Sequence, residues 1–421
     1  MENRGHNPFR NVVNAMKSID RNARVMVLIE PLFSIPNTMY AGYLSLYMIA
    51  IGLSKAQVGI VSSLGMTASF ICASMSAYAA DKLGRRRTIL VFDTLSWVVA
   101  QFIWIVAGNM LGFIIASVIN ATVQFVGNSF SCLMLEDNEP AKRVHVYNFL
   151  QIAGIVAGFF TPIGTALISR FTLVPAVRIM LTAGMILISV QITVRHVLTR
   201  ETAIGIQKQR EMKDVRIWQV FKAYLPVFKR VISNRLLVLI LFIRVFNYIQ
   251  LGIRNTYLSI LVTERLGFSP GIMAMFFTLN SVVMLFVLVF ITPLLSKVTR
   301  RWPIALGICV HIAAAVILLL SPPSANLPLL IVSAILIAVG TGLTTPYVDA
   351  LAANTIRDED RAASNSVISM IIMLCSAPFG YIGGLLSELD PRAPFLLTLL
   401  LFLSCLALLA AVIRKEKTAT E

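Results

Sequence analysis

Charge is what this chain has least of. Only 13% of its 421 residues are Asp, Glu, Lys or Arg, against 57% that are hydrophobic. A water-soluble domain carries roughly 25% charged residues, because its surface must be solvated. That excludes the two or three soluble domains that length alone would allow. The four histidines are dispersed, and Cys72, Cys132, Cys309, Cys375 and Cys405 stand singly in apolar stretches. Neither set has metal-ligand or redox spacing, so no metal centre and no cofactor is expected. Catalytic patterns are missing too: no Ser-His-Asp arrangement, no HExxH helix, no paired carboxylates and no phosphate-binding glycine loop. An enzyme is therefore not expected, and neither is direct use of a nucleotide as energy source. No cleavable signal peptide is expected, since the first apolar run starts only after the basic stretch ending at Arg24.

Acidic residues are also scarce beside basic ones, 20 against 36, for a net charge of +16. The basic residues do not form a nucleic-acid patch. They occupy short segments between apolar runs, as loops facing the cytoplasm do. Runs of the roughly 20 apolar residues that a helix needs to cross a bilayer fall at 25–53, 56–80, 88–107, 109–135, 146–168, 172–194, 236–262, 270–295, 303–321, 326–353, 364–387 and 391–413. With both termini inside, 29 of the 36 Lys and Arg lie in cytoplasmic segments and four in outer loops. The expected protein is an all-α multi-pass chain of the cell (inner) membrane. Bundles at 25–194 and 236–413 would be joined by a basic linker at 195–235 and flanked by a segment at 1–24 and a tail at 414–421. Phe9, Val12, Val13, Met16 and Ile19 recur at helical spacing in the first flank. Ile217, Val220, Phe221, Tyr224, Leu225 and Phe228 do so in the linker, among Lys222, Lys229 and Arg230. Both segments are expected to lie in the headgroup region against membrane lipids.

The two bundles are copies. Tyr43-Leu44-Ser45 recurs as Tyr257-Leu258-Ser259, Gly52-Leu53-Ser54 as Gly267-Phe268-Ser269, and Lys82-Leu83-Gly84-Arg85-Arg86 as Lys297-Val298-Thr299-Arg300-Arg301. Pro162-Ile163-Gly164 recurs as Pro378-Phe379-Gly380, and every match shares an offset of about 215 residues. Six helices were doubled in parallel, an arrangement that places a solute site between the halves near the midplane.

The stretch Ala77-Tyr78-Ala79-Ala80-Asp81-Lys82-Leu83-Gly84-Arg85-Arg86-Arg87 resembles the loop between helices 2 and 3 of the major facilitator superfamily. That pattern is Gly, three residues, Asp, Arg or Lys, any residue, Gly, Arg, then Arg or Lys, and only Ala77 departs from it. The resemblance covers essentially the whole chain. It implies twelve transmembrane helices as two pseudo-symmetric six-helix bundles around a central cavity, working by alternating access. It also implies a secondary transporter of a small molecule, acting as a monomer, with protons as candidate coupling ion. An aspartate at a helix end accepts hydrogen bonds and pairs with loop arginines or a helix N-terminus. Asp81, Gly84, Arg85 and Arg86 are therefore expected to form a latch. The second copy has Ser296 in place of the aspartate. The family's drug–proton antiporters carry an Arg four residues before a Gly in helix 4, where this chain has Val123 before Gly127. Their Gly-Pro pair in helix 5 is replaced here by Gly154, Gly158, Pro162 and Gly164.

Ionisable groups within a bilayer are costly and therefore functional candidates. Those inside the expected spans are Glu30, Asp93, Arg178, Arg244, Arg254 and Asp349. In the seventh span Asn247, Gln250, Arg254 and Tyr257 share one helix face, which must turn inward from lipid. The fourth carries Asn120, Gln124 and Asn128 at every fourth position, and the first carries Asn37 and Tyr40 between Pro36 and Gly42. Arg254, Asn247, Gln250 and Tyr257 are the expected solute contacts, supported by Asn37, Tyr40, Asn120 and Gln124. At an offset of 214 Glu30 falls on Arg244, and the two are expected to pair and close the cytoplasmic side, with Asp349 also in gating or coupling. Glu30 has an alternative role as proton carrier. A mid-membrane arginine favours an organic anion or polar metabolite. Acids equal arginines three to three in the spans, so proton-coupled cation or multidrug efflux stays open. So does a non-transporting receptor or lipid-handling protein on the same scaffold.

Overall fold

Short connections force successive helices into hairpins, and local chemistry marks their ends. Ser54 accepts a hydrogen bond from the Gln57 amide while the Gln57 side chain accepts one from Ser54, a reciprocal cap that starts the second span at Lys55. Gly84, at φ 86°, ends it at Leu83 and lets the next helix start at once. The expected 56–80 therefore extends by one residue at its start and three at its end.

A computed structural model describes residues 16–291, 301–322, 326–355 and 361–420. Phe9, Val12, Val13 and the basic loop at 297–300 lie outside the described residues, and the Asp349 side chain is likewise not described. The described residues form helices joined by short turns and loops, without a strand. α1 is broken into Arg21–Ile29, Pro31–Ala41 and Leu44–Ala50, the first break falling at Pro31. α2 (Lys55–Leu83), α3 (Arg85–Val106), α4 (Met110–Leu135), α5 (Pro140–Gly158 and Thr161–Phe171) and α6 (Leu173–Leu198) complete the first bundle. Two linker helices follow, α7 (Ala203–Glu211) and α8 (Ile217–Ser233). The second bundle holds α9 (Arg235–Ile260, continued by a π turn Leu261–Arg265), α10 (Ile272–Phe286, continued by Val287–Ile291), α11 (Arg301–Leu320), α12 (Leu327–Thr355), α13 (Arg361–Leu389) and α14 (Ala393–Thr420). Ten of these helices are long and apolar enough to cross a membrane. The broken α1 and the partly described α10 occupy the two remaining expected spans.

The repeated motifs meet in space. Tyr43 packs on Gly164, an ideal Cβ there falling 3.5 Å from its ring, and Tyr257 donates its hydroxyl to the Gly380 carbonyl at 2.6 Å. Each copy thus seats its tyrosine on its own glycine.

Between the halves the most extensive contact is α2 against α13. It is possible only because small residues face each other. A Cβ on Gly59 would lie 2.6 Å from the Gly380 carbonyl oxygen, and one on Gly384 would lie 2.7 Å from that of Lys55. Ser63 fills the gap, accepting from the Tyr381 amide at 2.8 Å. Polar ties between the halves gather at this end, opposite the basic loops. Lys55 pairs with Glu264 and the Ala56 amide donates to Glu388. Thr165 donates to the Gly271 carbonyl, and Thr161 and Thr278 share a bond. The halves are therefore closed at the end opposite the basic loops.

Gly59→Leu and Gly384→Leu are each expected to lower thermal stability by an overpacking cost of about 1–3 kcal/mol. Gly154→Leu should be near neutral, because nothing lies within 4 Å of a Cβ there. Equal melting shifts for all three would show that α2 and α13 do not depend on close approach.

Candidate functional site

At the basic end, the first bundle neutralises its charges internally. Asp81 pairs with Arg85 at 2.7 Å, and Arg85 also reaches Glu136 at 3.1 Å and the Ala80 carbonyl. Of the two partners expected for Asp81 it takes the loop arginine, and the carboxylate on the α3 N-terminus is Glu201 from the linker. It accepts from the Arg85 amide at 3.1 Å and the Arg86 amide at 3.0 Å, where the helix dipole and free amides favour an anion. Arg86 donates onward to the His196 carbonyl, and Thr202 donates to Glu136. Gly84 is needed at the corner: besides its positive φ, any Cβ would strike the Gln209 and Glu201 side chains. Glu136, Glu201 and Thr202 escaped sequence reading because they are ordinary loop residues until the fold brings them to the motif.

Deeper in the same bundle Asp93 pairs with Arg195, both side chains buried, with the guanidinium also 5.7 Å from the Phe130 ring centre. Arg195 was expected in the linker. α6 instead runs to Leu198, which carries it into the bundle to meet Asp93. Arg178 donates to the Tyr47 hydroxyl at 3.2 Å, a packing role. Glu30 has Arg195 and Asp93 as its electrostatic neighbours and makes no side-chain bond among the described residues. The expected Glu30–Arg244 ion pair is thus absent here. Glu30 belongs to the charged cluster of the first bundle, whereas Arg244 lines a cavity of the second.

That second-bundle cavity, about 170 Å³, is walled by α9 (Arg244, Asn247, Tyr248, Gln250, Leu251), α11 (His311), α12 (Thr341, Thr344, Thr345, Val348) and α13 (Ile372). Asn247 and Gln250 therefore meet Arg244 as one polar wall. Arg254 lies one turn further along. Its Nη1 is sealed from solvent without a hydrogen-bond partner, and it makes no ion pair among the described residues. Its electrostatic neighbour is His311. The expected stripe parts company at Tyr257, which is 1% exposed and held by Gly380, so it joins helix packing and not the cavity. Ten residues of helix span roughly 15 Å, enough for one face to change neighbours.

His311 was missed, having been read as one of four dispersed histidines. It is 3% exposed, stacked on Phe402 at 4.7 Å and 8°, and backed by Gly340, where a Cβ would fall 2.8 Å from its ring. A lone histidine within an apolar run was the only signal available.

Two further cavities lie where the halves meet. One, about 270 Å³, is lined by Asn37, Thr38, Thr161, Asn255, Asn280 and Ser281 among others. The other, about 290 Å³, includes Ser45, Ser62, Ser69, Asn120, Asn255 and Thr256. They share Ala41 and Asn255, so one run of amides and hydroxyls crosses between the bundles. Asn37 and Asn120 face this space, although Asn120 also donates to the Ser96 carbonyl at 2.8 Å. Tyr40 does not: it is 2% exposed and its hydroxyl accepts from Gln101. Gln124 is half-buried on α4 and lines none of these cavities. Asn255, unremarked in the sequence, is the polar residue the two spaces have in common.

Residues 28–251 and 240–421 match the family model described as Major Facilitator Superfamily. No curated protein matches the chain. Among solved structures, the nucleoside transporter NupG is similar over 94% of this chain and 99% of its own, at 14% identity and a TM-score of 0.71. A POT family transporter in complex with 5-aminolevulinic acid is similar over 97% of this chain and 100% of its own, at 12% identity and 0.71. The human organic anion transporter MFSD10 (TETRAN) is similar over 96% and 99%, at 15% identity and 0.59. At such identities the likeness concerns the fold.

Removing one partner of a buried ion pair leaves an uncompensated charge and costs about 3–5 kcal/mol. Asp93→Leu and Arg195→Leu are each expected to destabilise by that order. The double variant should recover most of the loss, read as a non-additive melting shift. Additive losses would show that the pair is not a unit.

Proposed function

The chain belongs to the major facilitator superfamily and is a membrane transporter, and from that premise we propose that it carries a small organic anion by alternating access. The observation that supports this reading is Arg254. A guanidinium with a sealed nitrogen that lacks a partner is costly in a membrane bundle, and its neighbourhood, with Arg244, His311, Asn247, Gln250 and three threonines, is built to donate hydrogen bonds. A carboxylate or phosphate would satisfy it through charge-assisted bonds. The uncharged amides and hydroxyls around Asn255 suit a polar body attached to that anion.

By the distribution of Lys and Arg, the basic end faces the cytoplasm. The ties at Lys55–Glu264, Ala56–Glu388 and Thr165–Gly271 then close the outside, and the conformation is inward-facing. Outward opening would break these bonds as the halves rock on the α2–α13 contact. Glu30, beside the Asp93–Arg195 pair yet bonded to neither, is the proposed proton carrier.

Thermal stability of the purified protein against organic anions, cations and sugars tests the reading. A ligand at a hundred times its dissociation constant stabilises the folded state by about 2.7 kcal/mol. A carboxylate or phosphate is expected to raise the melting temperature of the parent and not of Arg254→Met. Arg254→Met without ligand should melt above the parent, since the orphaned charge is gone. A variant that melts lower and still responds to the anion would make Arg254 structural.

A further inference from the structure

Between the linker helix α8 and the α2–α13 pair lies a cavity of about 450 Å³ that the solute pathway does not use. Its walls include Phe70, Ile71 and Ser74 of α2, Leu225 and Phe228 of α8, and Ile371 of α13. Ser74 supplies the single polar side chain of the lining, and its hydroxyl is spent on the Ile71 carbonyl at 2.7 Å. An occupant is therefore offered apolar contact and no hydrogen bond. Ile71, Leu225, Phe228 and Leu374 are exposed, so the cavity opens on the outer surface of the bundle.

Depth and charge indicate what fills it. Phe70 to Ser74 lie roughly 14–20 Å from the basic end of α2 at a 1.5 Å rise per residue, the depth of lipid tails. α8 has no acidic residue over Ile217–Ser233. Its exposed Lys222 and Lys229 stand three residues before and four after Leu225, on the helix face that borders the cavity. The amide end of α8 is fastened to α2, where Tyr78 and Lys82 both donate to the Val215 carbonyl. A cationic pair thus flanks an apolar mouth.

We propose that this cavity binds one anionic phospholipid, an acyl chain between α2, α8 and α13 and its phosphate on Lys222 and Lys229. Because the walls come from both bundles and the linker, the lipid would tie all three together.

The test is native mass spectrometry of the full chain in detergent, titrated with phosphatidylglycerol or phosphatidylcholine. One phosphatidylglycerol is expected to be retained in preference to phosphatidylcholine. The K222Q/K229Q variant should weaken it about 10- to 30-fold, at roughly fivefold per lysine. Ser74→Phe, which fills the cavity, should weaken both lipids, and Ile71→Trp, at the exposed mouth, keeps the test open should Ser74→Phe fail to fold. Equal retention of the two lipids with no effect of the lysine changes would overturn the headgroup assignment and leave an apolar seal. Retention of phosphatidylglycerol undiminished in either cavity-filling variant would overturn the cavity as the acyl site.

Discussion

A charged side chain inside a membrane bundle has no water to retreat to, so it must find a partner within the protein or wait for one. The two halves of this chain meet that constraint differently. The first pairs Asp93 with Arg195 and surrounds Arg85 with Asp81 and Glu136, while Glu201 sits on the adjoining helix terminus. The second leaves Arg254 with a sealed, unbonded nitrogen next to a cavity of hydrogen-bond donors. Duplication supplied one scaffold twice, and the placement of charge left one copy paired internally and the other with an unbonded guanidinium nitrogen beside a cavity.

Rigid bodies that move against each other need an interface that tolerates movement. Gly59, Ser63, Gly380 and Gly384 give α2 and α13 such a surface, with backbone on backbone and few long side chains to interlock. Packing of this kind is held by van der Waals contact and not by a hydrophobic force, because lipid is as apolar as the helices. Directional bonds then decide the state. Those at Lys55, Ala56 and Thr165 hold the end opposite the basic loops shut. The linker is anchored to the first bundle by Glu201 and Val215, while α8 packs on α9 and α13 of the second.

The site was only partly legible in the sequence. Asn247 and Gln250 were correctly read as neighbours on one face, because helical periodicity is a property of the chain alone. Their meeting with Arg244, His311 and three threonines from α12 depends on how α9, α11 and α12 pack, which periodicity does not encode. Tyr40 and Tyr257 show the opposite error. Each looked like a polar contact, yet each buries its ring, Tyr40 accepting from Gln101 and Tyr257 donating to the Gly380 carbonyl. The symmetry argument that joined Glu30 to Arg244 failed for a related reason. Equivalence about a pseudo-twofold axis sets matching positions, not contact, and Glu30 found its charged neighbours in its own bundle.

By itself the sequence determined that this is a membrane-spanning helical protein, that its halves are copies and that its basic segments share one side. It did so because lipid imposes a length and an apolar composition on every span, and because charge is excluded from all but the loops. Only the tertiary structure decided which charges cancel, which carboxylate caps α3, and that Arg254 is left over. A charge in a bundle is judged by what lies within a few ångströms of it, and those neighbours can come from helices more than a hundred residues away in the chain, as Arg195 does for Asp93.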